Sequence, residues 1–113
     1  MIRVLIVDDM ATIRMALRFI LESDPELTVA GAVGSGEEAV AFCQKSRPDI
    51  ITMDINMPGM GGYEAIRRIM SETPCPIVVI TGIESQQLMD VSFRALALGA
   101  LTVLPKLQGF SPD

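Results

Sequence analysis

Five residues of this 113-residue chain carry side chains suited to handling a phosphoryl group, and each stands at the carboxyl end of a strand-like apolar run. Asp8 and Asp9 follow the run Arg3 to Val7, Asp54 follows Asp49 to Met53, Thr81 follows Ile77 to Ile80, and Lys106 comes just after Leu101 to Leu104. Three carboxylates brought together disfavour one another's ionisation unless a counter-charge is present. A hard divalent cation such as Mg2+ supplies it, held by one or two carboxylates, water and a phosphate oxygen. One carboxylate then keeps an oxygen free to attack phosphorus as a nucleophile. The transition state of phosphoryl transfer is loose and spreads negative charge over its equatorial oxygens, so donors must already stand there. A lysine ammonium and a threonine hydroxyl are suitable. The chemistry that fits is Mg2+-assisted phosphoryl transfer to a carboxylate.

Taken singly, each residue has a plainer explanation. An Asp-Asp pair after a strand is often a turn or a helix cap, a lysine near a strand end usually faces solvent, and Thr81 is placed to cap the helix after it. What decides for function is the elements that bring all five to one edge. Val, Leu and Ile runs without polar alternation predict strands buried on both faces of a parallel sheet. They alternate with helical periodicity. Ile13, Ala16, Leu17, Ile20 and Leu21 make an apolar helical stripe stopped before Pro25. Leu27 to Val33 predicts a second strand, and Ser35-Gly36-Glu37-Glu38 is a capping-box pattern that opens a second helix. The loop Pro58-Gly59-Met60-Gly61-Gly62 leads into a helix from about Tyr63 to Ser71, and Leu88, Val91, Ala95 and Leu98 mark a fourth helix with Gly99 as its cap. Strand and helix alternate four times before a last strand, which predicts an α/β fold with a parallel sheet. In such sheets sites form at the carboxyl ends of the strands, near the point where strand order reverses.

Composition narrows the classes. The length bounds the chain to one domain, and half its residues are hydrophobic, ample for a core. The longest nearly unbroken apolar stretch, Ala95 to Pro105, is interrupted by Gly99 and Thr102 and falls short of a membrane span. The opening Met1 to Val7 runs straight into two aspartates, so it reads as a strand rather than a signal peptide. A net charge of −5 with scattered basic residues excludes a nucleic-acid face. Cys43 and Cys75 are expected to be buried free thiols in a reducing cytosol. Without any histidine the chain cannot carry a phosphohistidine. Gly31-Ala32-Val33-Gly34-Ser35-Gly36 lacks the dinucleotide-binding spacing, and no P-loop is present. Among the eight methionines, Met15, Met53 and Met70 sit beside core positions and are expected in the core.

Val4-Leu5-Ile6-Val7-Asp8-Asp9, the segment Pro48 to Pro58 around Asp54, Ile80-Thr81-Gly82, and Gly99-Ala100 followed by Lys106 together resemble the landmarks of response-regulator receiver domains. The resemblance runs from Met1 to Lys106. It implies a flavodoxin-like, doubly wound, five-stranded parallel sheet of order 2-1-3-4-5, with residues 1–113 forming one receiver. Asp54 would be the phosphorylated residue. Asp9 would bind Mg2+ directly, Asp8 mainly through water, and the backbone carbonyl of Asn56 would be a further ligand. Thr81 would bond a phosphoryl oxygen and Lys106 would pair with the phosphoryl group. The implied partners are a sensor histidine kinase and an output domain or effector, in the cytoplasm. Met57 to Tyr63 and Arg94 to Ala100 look most like the receivers of chemotaxis protein-glutamate methylesterases, where a receiver precedes a hydrolase domain.

Three departures from the family pattern stand out. Leu107 follows Lys106 where the family usually has proline, so a trans bond is expected there and the reach of Lys106 is in question. Val103 occupies the position of the family's switch aromatic. Only seven residues follow Lys106, so most or all of the fifth helix is missing and one face of the sheet should be open to a second copy. Two other readings stay beside the phosphorylation switch. One is a small phosphohydrolase with an aspartate nucleophile, although Asn56 stands where such enzymes want a second acid, which argues for slow turnover. The other is a pseudo-receiver that only binds partners.

Overall fold

In a computed structural model of the protein, residues 1–82 and 85–106 are described. The apolar runs form β1 (Ile2–Val7), β2 (Leu27–Val33), β3 (Ile50–Met53), β4 (Ile77–Thr81) and β5 (Thr102–Pro105). Between them lie α1 (Ala11–Glu22), α2 (Gly36–Lys45), α3 (Gly62–Glu72) and α4 (Ser85–Ala97). All strand pairs are parallel and the order is β2-β1-β3-β4-β5. Four helices are present among the described residues, as the alternation of periods predicts, and the sheet order is the one the resemblance implied.

The boundaries move by a residue where side chains take over from the ladder. β3 starts at Ile50 because Asp49 turns its carboxylate onto the Arg3 N–H, 2.8 Å away. β5 starts one residue later than expected, with exposed Leu101 tied only through its N–H to the Ile77 carbonyl at 2.8 Å. The α2 capping box forms: Ser35 Oγ accepts from the Glu38 N–H at 3.1 Å. The Glu38 carboxylate reaches further back than expected, to the Gly34 N–H at 3.3 Å. Gly99, at φ +113°, ends α4, and the Ala100 N–H reaches back to the Ala95 carbonyl at 2.9 Å. That i to i−5 bond closes the helix end as a left-handed cap requires.

Right-handed crossovers put α1 on one face of the sheet and α2, α3 and α4 on the other. The second face holds the larger core: Leu5, Val7, Ile51, Met53, Ile77 and Val79 of the sheet meet Ala39, Val40, Cys43, Ala65, Ile66, Ile69 and Ala95 of the three helices. Each large aliphatic side chain buried there contributes about 1.5–3 kcal/mol. Both cysteines are free and buried, and burial pushes the Cys75 thiol up to about 11, so it stays protonated. Met53 and Met70 join this core, but Met15 does not. It lies on the outer side of α1 at 71% exposure, because the helical stripe that faces the sheet is set by Ile13, Leu17 and Ile20.

Among the described residues the α1 face is less covered. Ile2, Val4, Leu21, Leu27, Ile50, Thr52, Val78, Ile80 and Leu104 line an apolar concavity of about 310 Å3 beside α1. Alternation along β4 assigns Ile77, Val79 and Thr81 to the buried face and leaves Val78 and Ile80 half-buried in the concavity. Thr52, 8% exposed, has a buried hydroxyl on this floor with no partner among the described residues. The Lys106–Leu107 bond and the place of a fifth helix lie outside the described residues.

Candidate functional site

Each strand passes its register to the residue just beyond it, and this fixes the site. The Asp8 N–H donates to the Val33 carbonyl at 3.1 Å, the Asp54 N–H to Val7 at 2.9 Å, and the Lys106 N–H to Thr81 at 2.8 Å. The sheet ladder therefore runs one step past β1, β3 and β5, and the functional side chains leave its edge in line. Asp8 is 2% exposed and Asp54 is 3% exposed, whereas Asp9 faces solvent.

The carboxylates of Asp8, Asp9 and Asp54 each offer an oxygen within 4.8 Å of the others. Lys106 Nζ stands 3.2 Å from Asp8 Oδ2 and 3.5 Å from Asp54 Oδ2. The ammonium thus reaches both buried carboxylates. Thr81, 1% exposed, has its hydroxyl buried and without a partner among the described residues. It is therefore no cap for α4. A buried hydroxyl left unpaired costs about 1–3 kcal/mol, so the position is held against local stability. Asn56 is exposed just past Asp54, and its N–H helps to hold the Asp54 carboxyl down.

One positive charge faces three negative ones. Burial and then the Asp8 charge push the Asp54 carboxyl up to about 6, while Lys106 and the Asn56 N–H pull it down. An ion with two positive charges would relieve the remaining repulsion. The donor set fits Mg2+: hard carboxylate oxygens close enough to share one cation, with an exposed side open to water and a phosphate. Asp8 is already engaged, since Oδ1 accepts from the Met10 N–H at 2.9 Å and Oδ2 faces Lys106. Asp9 is the freer ligand.

Two residues at this edge were not singled out by the sequence. Arg14 on α1 donates through Nη1 to the Asp8 backbone carbonyl at 2.7 Å. Glu37 on α2 accepts from the Met60 N–H at 3.3 Å through Oε2, in the loop after Asp54. Both act on backbone groups, Arg14 six residues back and Glu37 twenty-three residues on, and no spacing rule reveals such contacts.

Comparison with known proteins agrees with this geometry. Residues 4–111 match the response regulator receiver domain family. The chain is 46% identical over its whole length to protein-glutamate methylesterase/protein-glutamine glutaminase 2 of Methanospirillum hungatei, and spans 33% of that protein. It is 48% identical over 94% of its length to protein-glutamate methylesterase/protein-glutamine glutaminase 1 of Syntrophus aciditrophicus, and spans 30% of it. The chain thus spans about a third of the length of these relatives. Among solved structures, the response regulator domain of Thermotoga maritima CheB superposes with a TM-score of 0.87 at 38% identity, covering 97% of this chain and 81% of that one.

Proposed function

This chain belongs to the response regulator receiver domain family, and on that premise we propose that Asp54 takes a phosphoryl group from a sensor kinase phosphohistidine with Mg2+ bound beside it. The observation that carries the reading is a buried carboxylate with an ammonium 3.5 Å away at the carboxyl edge of the sheet, where β4 also ends on a buried hydroxyl without a partner among the described residues. An Asp54 carboxylate oxygen forms the new bond to phosphorus, the bond from phosphorus to the imidazole nitrogen breaks, and the kinase histidine leaves with that electron pair. The Lys106 ammonium, now between Asp8 and Asp54, draws toward the transferred oxygens. The Thr81 hydroxyl gains the acceptor it lacks. Asp8, Asp9, Asp54 and the Asn56 carbonyl would hold the Mg2+, which supplies charge neutralisation for the incoming phosphate.

The wider reading follows from the relatives. Residues 1–113 act as the receiver of a cytoplasmic chemotaxis protein whose output is a methylesterase domain, and phosphorylation changes the surface presented to that domain. The apolar concavity beside α1 is assigned to a second copy of the chain. The phosphohydrolase alternative finds no support at Asn56, an amide where a second acid would be needed. The pseudo-receiver alternative loses its motive once Lys106 reaches Asp54.

Intact-mass spectrometry after incubation with acetyl phosphate tests the core of this. The wild type is expected to gain one phosphoryl mass with Mg2+ and none with EDTA, and Asp54→Asn to gain none in either. Labelling of Asp54→Asn, or labelling indifferent to EDTA, overturns the assignment. Asp9→Ala is expected to weaken Mg2+ binding more than Asp8→Ala, and the reverse order in a metal titration would exchange their roles.

A further inference from the structure

The segment between Asp54 and α3 carries Asn56 and is held at two places. Its start is closed on itself by the Gly62 N–H, which donates to the Ile55 carbonyl at 2.9 Å. Its middle rests on the first turn of α2. There Glu37 Oε2 accepts from the Met60 N–H at 3.3 Å. Beside it Gly36 is buried against the loop so closely that a Cβ would lie 2.5 Å from the Met60 carbonyl oxygen and 3.2 Å from Ala65 Cβ. Gly59 adopts φ +72°, and a Cβ there would stand 3.0 Å from the same Glu37 oxygen. A bond, a close backbone approach and a left-handed turn all concern one contact.

We propose that Glu37 is a positioning residue for the cation site: by holding the Met60 N–H, its carboxylate fixes the backbone of the loop that presents the Asn56 carbonyl. The inference rests on the reading of Asp8, Asp9, Asp54 and Asn56 as the Mg2+ ligands. A loop containing Gly59 and Gly61 has wide backbone freedom, and fixing each residue opposes binding by about 1–2 kcal/mol. With Glu37 in place part of that ordering exists before the cation arrives. Without it, the ordering falls to the cation, and affinity drops. Among the described residues its side chain makes no hydrogen bond or ion pair with the proposed ligands, so it acts through backbone position.

The test is a Mg2+ titration followed by backbone amide NMR shifts on the wild type, Glu37→Ala and Glu37→Gln, with hydrogen exchange at the Met60 amide and a urea unfolding curve for each. Glu37→Ala is expected to weaken Mg2+ about three- to tenfold, the range of one hydrogen bond, and to speed exchange at Met60 while the chain still unfolds cooperatively at a slightly lower urea midpoint. Glu37→Gln keeps an acceptor oxygen and is expected to bind within about twofold of the wild type. If Glu37→Gln loses as much as Glu37→Ala, the effect is remote charge and the positioning role is wrong. Unaltered affinity in Glu37→Ala overturns it equally. A wild type with no Mg2+-dependent shifts overturns the metal site itself, and the positioning role with it.

Discussion

Asp54 is held in a state that favours its chemistry over its stability. Its carboxyl titrates near about 6 in the folded chain against 3.8 ordinarily. Between those values the folded state binds the proton that the unfolded state has released, so stability falls as pH rises through the window and is level above it. The shift corresponds to roughly 2–3 kcal/mol lost by neutral pH. Asp54→Asn is therefore expected to gain about 2 kcal/mol over the wild type at pH 7 without Mg2+, and nothing below pH 4. Urea denaturation across pH measures both, and an Asp54→Asn advantage independent of pH would contradict the cause given. Thr81→Val removes a buried hydroxyl that has no partner among the described residues. It is expected to leave stability unchanged or raise it by about 1 kcal/mol while slowing phosphorylation by acetyl phosphate; a large loss of stability would reveal a partner for that hydroxyl. Most of the site was legible in the sequence because charged and hydroxyl residues at strand ends have few other reasons to coincide. Arg14 and Glu37 were not, because what they bind are peptide groups, whose position depends on how the chain turns and packs rather than on residue type.

The elements were legible for a different reason. Unbroken Val, Ile and Leu runs and the stripe on α1 state their burial directly, and the Ser35–Glu38 box marks the start of α2. What the sequence left open was where side chains interrupt a pattern: Asp49 shortens β3, and Met15 points outward although its neighbours Arg14 and Ala16 are half-buried. Periodicity places a residue on a helix but only coarsely on its circumference, so a residue next to the stripe is easily assigned to it. The end of α4 depends on one position. Gly99 sits at φ +113° with Met70 Cγ only 3.0 Å from where a Cβ would be. Gly99→Ala is expected to destabilise the fold by about 1–2 kcal/mol through backbone strain and the Met70 contact. Thermal unfolding would register it, and an unchanged midpoint would mean that α4 can end elsewhere.

At the scale of the molecule, the two faces of the sheet are unequal. The face under α2, α3 and α4 is closed, while the concavity beside α1 presents Val78, Ile80 and Leu104, the last 47% exposed. Apolar patches of this kind on one protein tend to meet another. The chain of 113 residues is expected to associate with itself as concentration rises, and Ile80→Lys to abolish this. Light scattering over a concentration series decides it, a strictly monomeric chain being the contrary result. The ladder bond from Lys106 to Thr81 also has a consequence in time. Synthesis runs from the amino to the carboxyl end, so the three carboxylates emerge well before the ammonium that stands between two of them. The pairings that bring them together join segments distant along the chain, which form slowly. The capacity to receive a signal thus arrives last, and a chain interrupted before its final strand stays silent.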